Sequence, residues 1–184
     1  ITTWDASTEG VYSPSDYGTS IQYFDEFSGS DDAEYGSAVT VGDFNGDGYM
    51  DFATATPEYG IEYAEGGIVT IFLGAAYGDP QLAVIIDGVG EGTELGDTDG
   101  SLENLGDVNG DGYDDLGMSD DDGRFIILWG KQDWGVNFDY SGDGVLDTFL
   151  VNLWEVSTFD DSYASGSMIG SNFNFKGVGD VNGD

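Results

Sequence analysis

Two nine-residue segments carry oxygen-bearing side chains in the same order. Asp43, Asn45, Asp47 and Asp51 occupy positions 1, 3, 5 and 9 of the first, and Asp107, Asn109, Asp111 and Asp115 those of the second. Position 6 is glycine in both, Gly48 and Gly112. Alternate side chains on a tightly curled backbone point to one centre, and glycine permits the sharp bend. The carbonyl of position 7, from Tyr49 or Tyr113, can supply one more oxygen. An all-oxygen donor set selects a hard dication, Ca2+ ahead of Mg2+, which resists dehydration. A looser copy sets Asp139, Ser141, Asp143, the Val145 carbonyl and Asp147 at the same offsets, with Ser141 the weaker donor. A fourth supplies Asp180, Asn182 and Asp184 and stops there.

A single Asp/Asn/Gly cluster is equally well explained as a good turn former. Recurrence of one spacing in two full copies, with two partial ones, favours a shared ligand. These loops are not EF-hands. An EF-hand closes with Glu at position 12 between helices, whereas position 12 here is Thr54, Met118 and Leu150 and the flanks read as strands.

Charge makes the need for cations plain. The chain holds 37 Asp+Glu against 3 Lys+Arg, a formal charge of −34, so almost no carboxylate finds an ion-pair partner within the chain. Self-repulsion of that size opposes compaction unless divalent cations or high salt offset it. With no basic patch to displace counterions from phosphate, nucleic acid is excluded as a direct partner. The hydrophobic fraction of 39% separates the chain from acidic disordered tails. No apolar stretch is long enough to span a membrane. Cysteine and histidine are absent, which removes disulfides, thiolate metal sites and the commonest general base.

The segments around the loops read as strands. Residues 37–41 alternate into the first loop, 52–56 leave it, and 68–73 form an apolar run opened by Gly66-Gly67. Residues 82–86, 116–119, 125–129 and 148–156 are further β-branched or aromatic runs, and 20–27 is an aromatic-rich candidate. No segment sustains a 3.6-residue period, so helix content should be low. An all-β chain of short antiparallel strands is predicted.

At these residues the chain resembles the FG-GAP repeat family, the calcium-loop blades of integrin-α-type β-propellers and of many bacterial secreted proteins. The resemblance runs through Tyr35-Gly36-Ser37, through Val41 to Phe52 and through Gly66 to Gly74; a second copy covers Leu105 to Leu116 and Gly123 to Gly130, and a third starts near Gly170. It implies a partial β-propeller, with the loop joining two strands of one blade and holding Ca2+ at the positions above. The implied division is a closing or exchanged N-terminal segment (1–33), one blade over 34–90, a second over 91–165 with the 139–147 loop inserted, and the start of a third over 166–184. At about 70 residues per unit, the chain holds fewer than three blades, whereas closed propellers use about four to eight. It is therefore expected to be a piece of a longer protein, or one whose sheet edges neighbouring chains complete.

Three functions fit this reading. The first is a secreted or cell-surface binding or adhesion module, with extracellular protein or polysaccharide as partner. Trp129, Trp134 and Trp154 could then stack on a sugar, although core packing is the simpler role for each. The second is a self-assembling subunit of a filament, sheath or surface layer, with other copies of itself as partners. The third, a carboxylate-based polysaccharide hydrolase or lyase, has no pair of acids to favour it: Glu62, Glu65, Glu91, Glu94 and Glu103 read as solvated loop charges. No catalytic residue is assigned.

Overall fold

The computed structural model describes residues 34–97, 100–139, 142, 144–152 and 164–168. The 20–27 segment, Trp154, Lys176, Ser141, Asp143 and the Asp180, Asn182 and Asp184 loop lie outside the described residues. All regular structure among the described residues is β: β1 (Val39–Gly42), β2 (Asp51–Thr56), β3 (Ile68–Leu73), β4 (Gln81–Asp87), β5 (Leu102–Gly106), β6 (Asp115–Ser119), β7 (Arg124–Leu128), β8 (Phe149–Asn152) and β9 (Ala164–Met168).

Two sheets form, one in the order β1-β2-β3-β4-β8 and the other β5-β6-β7-β9. Every neighbouring pair is antiparallel except β4 and β8, which run parallel with Val84 opposite Phe149. That parallel edge departs from the expected antiparallel pattern. Its cause is connectivity: the chain reaches β8 only after completing three strands of the second sheet. Of the 148–156 run, Phe149–Asn152 is strand, and residues 153–156 lie outside the described residues.

Alternation assigns the two faces of the first sheet. Ala53, Ala55, Val69, Ile71, Val84 and Ile86 turn toward Leu102, Leu116, Met118, Ile126 and Leu128 of the second sheet and make one core with them. Ile68 and Ile85 face the opposite way, onto Tyr35, Tyr59, Leu82, Phe138 and Leu150. On that face Phe52 stacks on Phe72 with ring centroids 4.7 Å apart. Both faces being covered explains why β3 reads as a continuous apolar run.

Small residues set how closely the sheets approach. Gly96, at φ +84°, lies under β2 so closely that a Cβ there would sit 2.3 Å from the Ala55 Cβ. Gly96→Ala is therefore expected to cost about 3 kcal/mol, combining overpacking with a left-handed backbone. Gly92→Ala (φ +68°, open space around it) should cost only about 1 kcal/mol. Urea unfolding of the two variants measures the contrast.

Candidate metal loops

The first loop joins β1 to β2 and the second joins β5 to β6, in hairpins whose last pairs are Gly42 with Asp51 and Gly106 with Asp115. In each loop the side chains of positions 1, 3 and 5 turn inward onto the backbone. The Asp43 carboxylate accepts from the Asp47 and Gly48 N–H groups, Asn45 Oδ1 accepts from Asp47 N–H, and Asp47 Oδ1 accepts from Tyr49 N–H. The second loop repeats this set: Asp107 accepts from Gly110, Asp111 and Gly112, Asn109 from Asp111, and Asp111 from Tyr113. In both, the position-3 amide donates to the position-5 carboxylate.

Position 9 is different in kind. Asp51 is fully buried, and its two oxygens accept from Phe44 N–H at 2.9 Å and from Gly74 N–H at 2.8 Å. Asp115, also fully buried, accepts from Val108 N–H and Gly130 N–H, both at 2.9 Å. One carboxylate thus pins the loop's second residue to the end of the strand two along. Burial pushes the carboxyls of Asp51 and Asp115 up to about 6, with those N–H bonds opposing and the acids at positions 5 and 1 adding to the rise.

The 139–147 loop sits between Phe138 and Thr148, which form an isolated bridge. Asp139 accepts from Gly142 and Gly144 N–H, both at 2.7 Å, as Asp107 does from Gly110 and Gly112. Its position 9 departs from the pattern, because Asp147 is exposed and accepts from the Thr148 hydroxyl. Val145, the position-7 residue, is also exposed.

The donor set of each full loop suits a hard dication: three inward oxygen-bearing side chains, a position-7 carbonyl and a buried carboxylate. Among the described residues, however, the trio of acids whose oxygens all lie within 4.8 Å of one another is Glu94, Asp97 and Asp121, and not the loop acids. In the loops the carboxylates are spread over backbone N–H groups, so their oxygens do not gather so tightly. Glu94 is thus more than the solvated loop charge expected of it. It is half-buried, and burial together with Asp121, Asp97, Glu58 and Glu65 raises its pKa. Asp121 reaches it from the β6–β7 turn, a proximity that no local spacing signals.

Sequence reasoning also missed Asp87 and Asp114. Asp87 is buried at the end of β4 and accepts from the Ile61 and Glu62 N–H groups, capping the loop after β2. Asp114 accepts from Asp43 N–H and from the Asn104 side chain, both at 2.9 Å, bridging the two units. Its one local signal is an Asp where the first loop has Met50. Trp134 is a core residue, with Lys131 Nζ 4.9 Å from its ring centroid and 4.4 Å from that of Phe149, whereas Trp129 is half-buried. Arg124 is held by Asp120 at 2.7 Å and Asp122 at 2.6 Å.

Comparison with known proteins agrees with this architecture. Residues 35–72, from the turn before β1 to near the end of β3, match the FG-GAP repeat. Over 103 residues, 55% of the chain, the sequence is 29% identical to integrin alpha-PS3 of Drosophila melanogaster. The chain spans 9% of the length of that relative. Residues 35–72 thus carry an FG-GAP repeat, and the all-β architecture is built around its loop.

Proposed function

We propose that the chain is an extracellular or cell-surface β-repeat module that binds a ligand, does not catalyse, and uses Ca2+ to rigidify its loops. One observation carries this reading: the same inward-facing oxygen turn, closed by a fully buried carboxylate, occurs twice at equivalent places in the two sheets. Asp43, Asn45, Asp47, the Tyr49 carbonyl and Asp51 would hold the first ion, and Asp107, Asn109, Asp111, the Tyr113 carbonyl and Asp115 the second. Asp139, Ser141, Asp143, the Val145 carbonyl and Asp147 would form a weaker third site, and Asp180, Asn182 and Asp184 would begin a fourth. A bound dication supplies positive charge where like-charged acids crowd and where a carboxylate is otherwise buried unpaired. The chain's own contribution is a turn partly pre-shaped by its N–H bonds, which leaves the inward oxygens to be drawn together on binding.

The likeness to an integrin α chain supports an extracellular protein as the partner class. We divide the chain into blades at 34–90 and 91–165, each carrying one full loop, with β8 of the second stretch completing the sheet of the first.

Melting in calcium, in magnesium and in chelator tests the proposal. At a hundredfold excess over Kd, one site adds about 2.7 kcal/mol, so the melting temperature should rise by about 5–10 °C in calcium. Magnesium should raise it less. An immobilised extracellular-matrix protein should retain the chain in calcium and release it in chelator. Equal melting temperatures in all three conditions would remove the metal from the account.

A further inference from the structure

We propose that the two full loops bind their cations cooperatively, coupled through Asp114. This rests on the calcium reading above and adds to it a coupling between sites.

Asp114 is position 8 of the second loop, between Tyr113, the carbonyl donor, and Asp115, the buried closing carboxylate. Its Oδ2 accepts from Asp43 N–H at 2.9 Å, and its own N–H donates to the Asp43 carbonyl at 3.1 Å. Both backbone groups of the first loop's position-1 ligand are therefore bonded to one residue of the second loop. The same Oδ2 accepts from Asn104 Nδ2 at 2.9 Å, and that amide also donates to the Val41 carbonyl at 3.0 Å, two residues before Asp43.

Two further contacts close the joint. Lys131 N–H donates to the Phe44 carbonyl at 3.0 Å. The Tyr113 ring lies against Gly46, where a Cβ would meet it at 2.6 Å. The residues that must be fixed to hold a cation in either loop are thus fixed partly by the other. Ordering one loop lowers the conformational cost of ordering its neighbour, which is positive coupling, and by linkage the factor is the same in both directions. Asp114 is a positioning residue and contributes no ligand oxygen.

Calorimetric titration of the full chain with CaCl2 alone tests this. Asp47→Ala silences the first loop and Asp111→Ala the second. Each single variant should weaken the remaining loop by the same factor, about tenfold. In the Asp114→Ala background that factor should fall to about one, while each loop still binds. Asp114→Asn keeps an oxygen able to accept from both Asp43 N–H and Asn104, so it should retain the tenfold factor even though it lowers both affinities by removing a charge. Hydrogen exchange without metal gives a second readout: Asp114→Ala should speed exchange at the Asp43 amide, and Asp114→Asn should not.

Independent loops in the unmodified chain would overturn the coupling and leave the calcium reading standing. Loss of the factor in Asp114→Asn as in Asp114→Ala would assign it to charge and overturn the clamp. Absence of calcium binding at both loops would remove the calcium reading and the coupling together.

Discussion

Asp51→Ala is expected to lower stability by about 4 kcal/mol in calcium and by about half of that in chelator at neutral pH. The larger figure has two sources. Phe44 N–H and Gly74 N–H both lose their acceptor, and a buried donor left unpaired costs about 1–3 kcal/mol. The site also loses the oxygen that would close it around the ion. In chelator the loss is partly offset, because the substitution removes a buried carboxylate whose charged form burial already disfavours. Asp115→Ala should behave in the same way, since Val108 and Gly130 stand in the same relation to it. Asp51→Asn should not rescue, because its amide nitrogen would face one of the two N–H donors. Asp147→Ala, at an exposed position 9, should cost about 0.5 kcal/mol. Urea denaturation with unchanged m-values reads these differences. A loss for Asp51→Ala no greater than that for Asp147→Ala would mean that the buried carboxylate is not the fastener described.

The second large effect is on pH. Without metal, stability is expected to rise as pH falls from 7 toward 4, opposite to the usual acid denaturation. Asp51 and Asp115 go from 3.8 to about 6 on folding, so between those values the native state binds more protons than the unfolded chain. Stability therefore increases as pH drops through 6 and levels off below 3.8. At 1.36 kcal/mol per unit, each carboxylate contributes on the order of 2–3 kcal/mol. Asp87, Glu94, Asp97 and Asp120 are shifted upward as well, by burial first in each case, and act with the same sign. In saturating calcium the slope should reverse over the same window, because protons then compete with the ion for the same oxygens. Melting curves at pH 5 and pH 7, with and without chelator, give the four numbers needed. A chelated protein that melts lower at pH 5 than at pH 7 would show that burial does not dominate these carboxyls.

How much of this was readable from the residues follows from which forces are local. The loops were legible because nine consecutive residues determine their own turn, and the inward bonds of Asp43 and Asp107 run to residues at most five positions away. β3 was legible because an apolar run bounded by glycines has few other uses. β5 was not, since Leu102–Gly106 mixes Glu103 and Asn104 into a short strand. Nor was β9, whose Ala164–Met168 segment holds one large apolar residue and takes its form from pairing with β7. The spacing marks position 9 only as a ligand. Its burial depends on Gly74 and Gly130, which close in on it from strands formed later in the chain. Asp114, Asp87 and the Glu94, Asp97 and Asp121 trio carry no such local signal, since each depends on a contact with residues far along the chain: Asp43 for Asp114, Ile61 and Glu62 for Asp87, and Asp121 for the pair Glu94 and Asp97.

On the proposed function, calcium draws together the inward oxygens of the two loops. The amides of Gly48 and Gly112 report on it most directly, because each donates to the position-1 carboxylate of its loop, at 2.9 and 2.7 Å. In two-dimensional amide NMR of the chelator-stripped chain, stepwise calcium should shift both peaks and bring them to a plateau. The Gly78 peak, at a glycine outside the loops, should stay in place. Gly48 and Gly112 peaks that hold their positions up to millimolar calcium would mean that these turns are closed by their own hydrogen bonds and gather no ion.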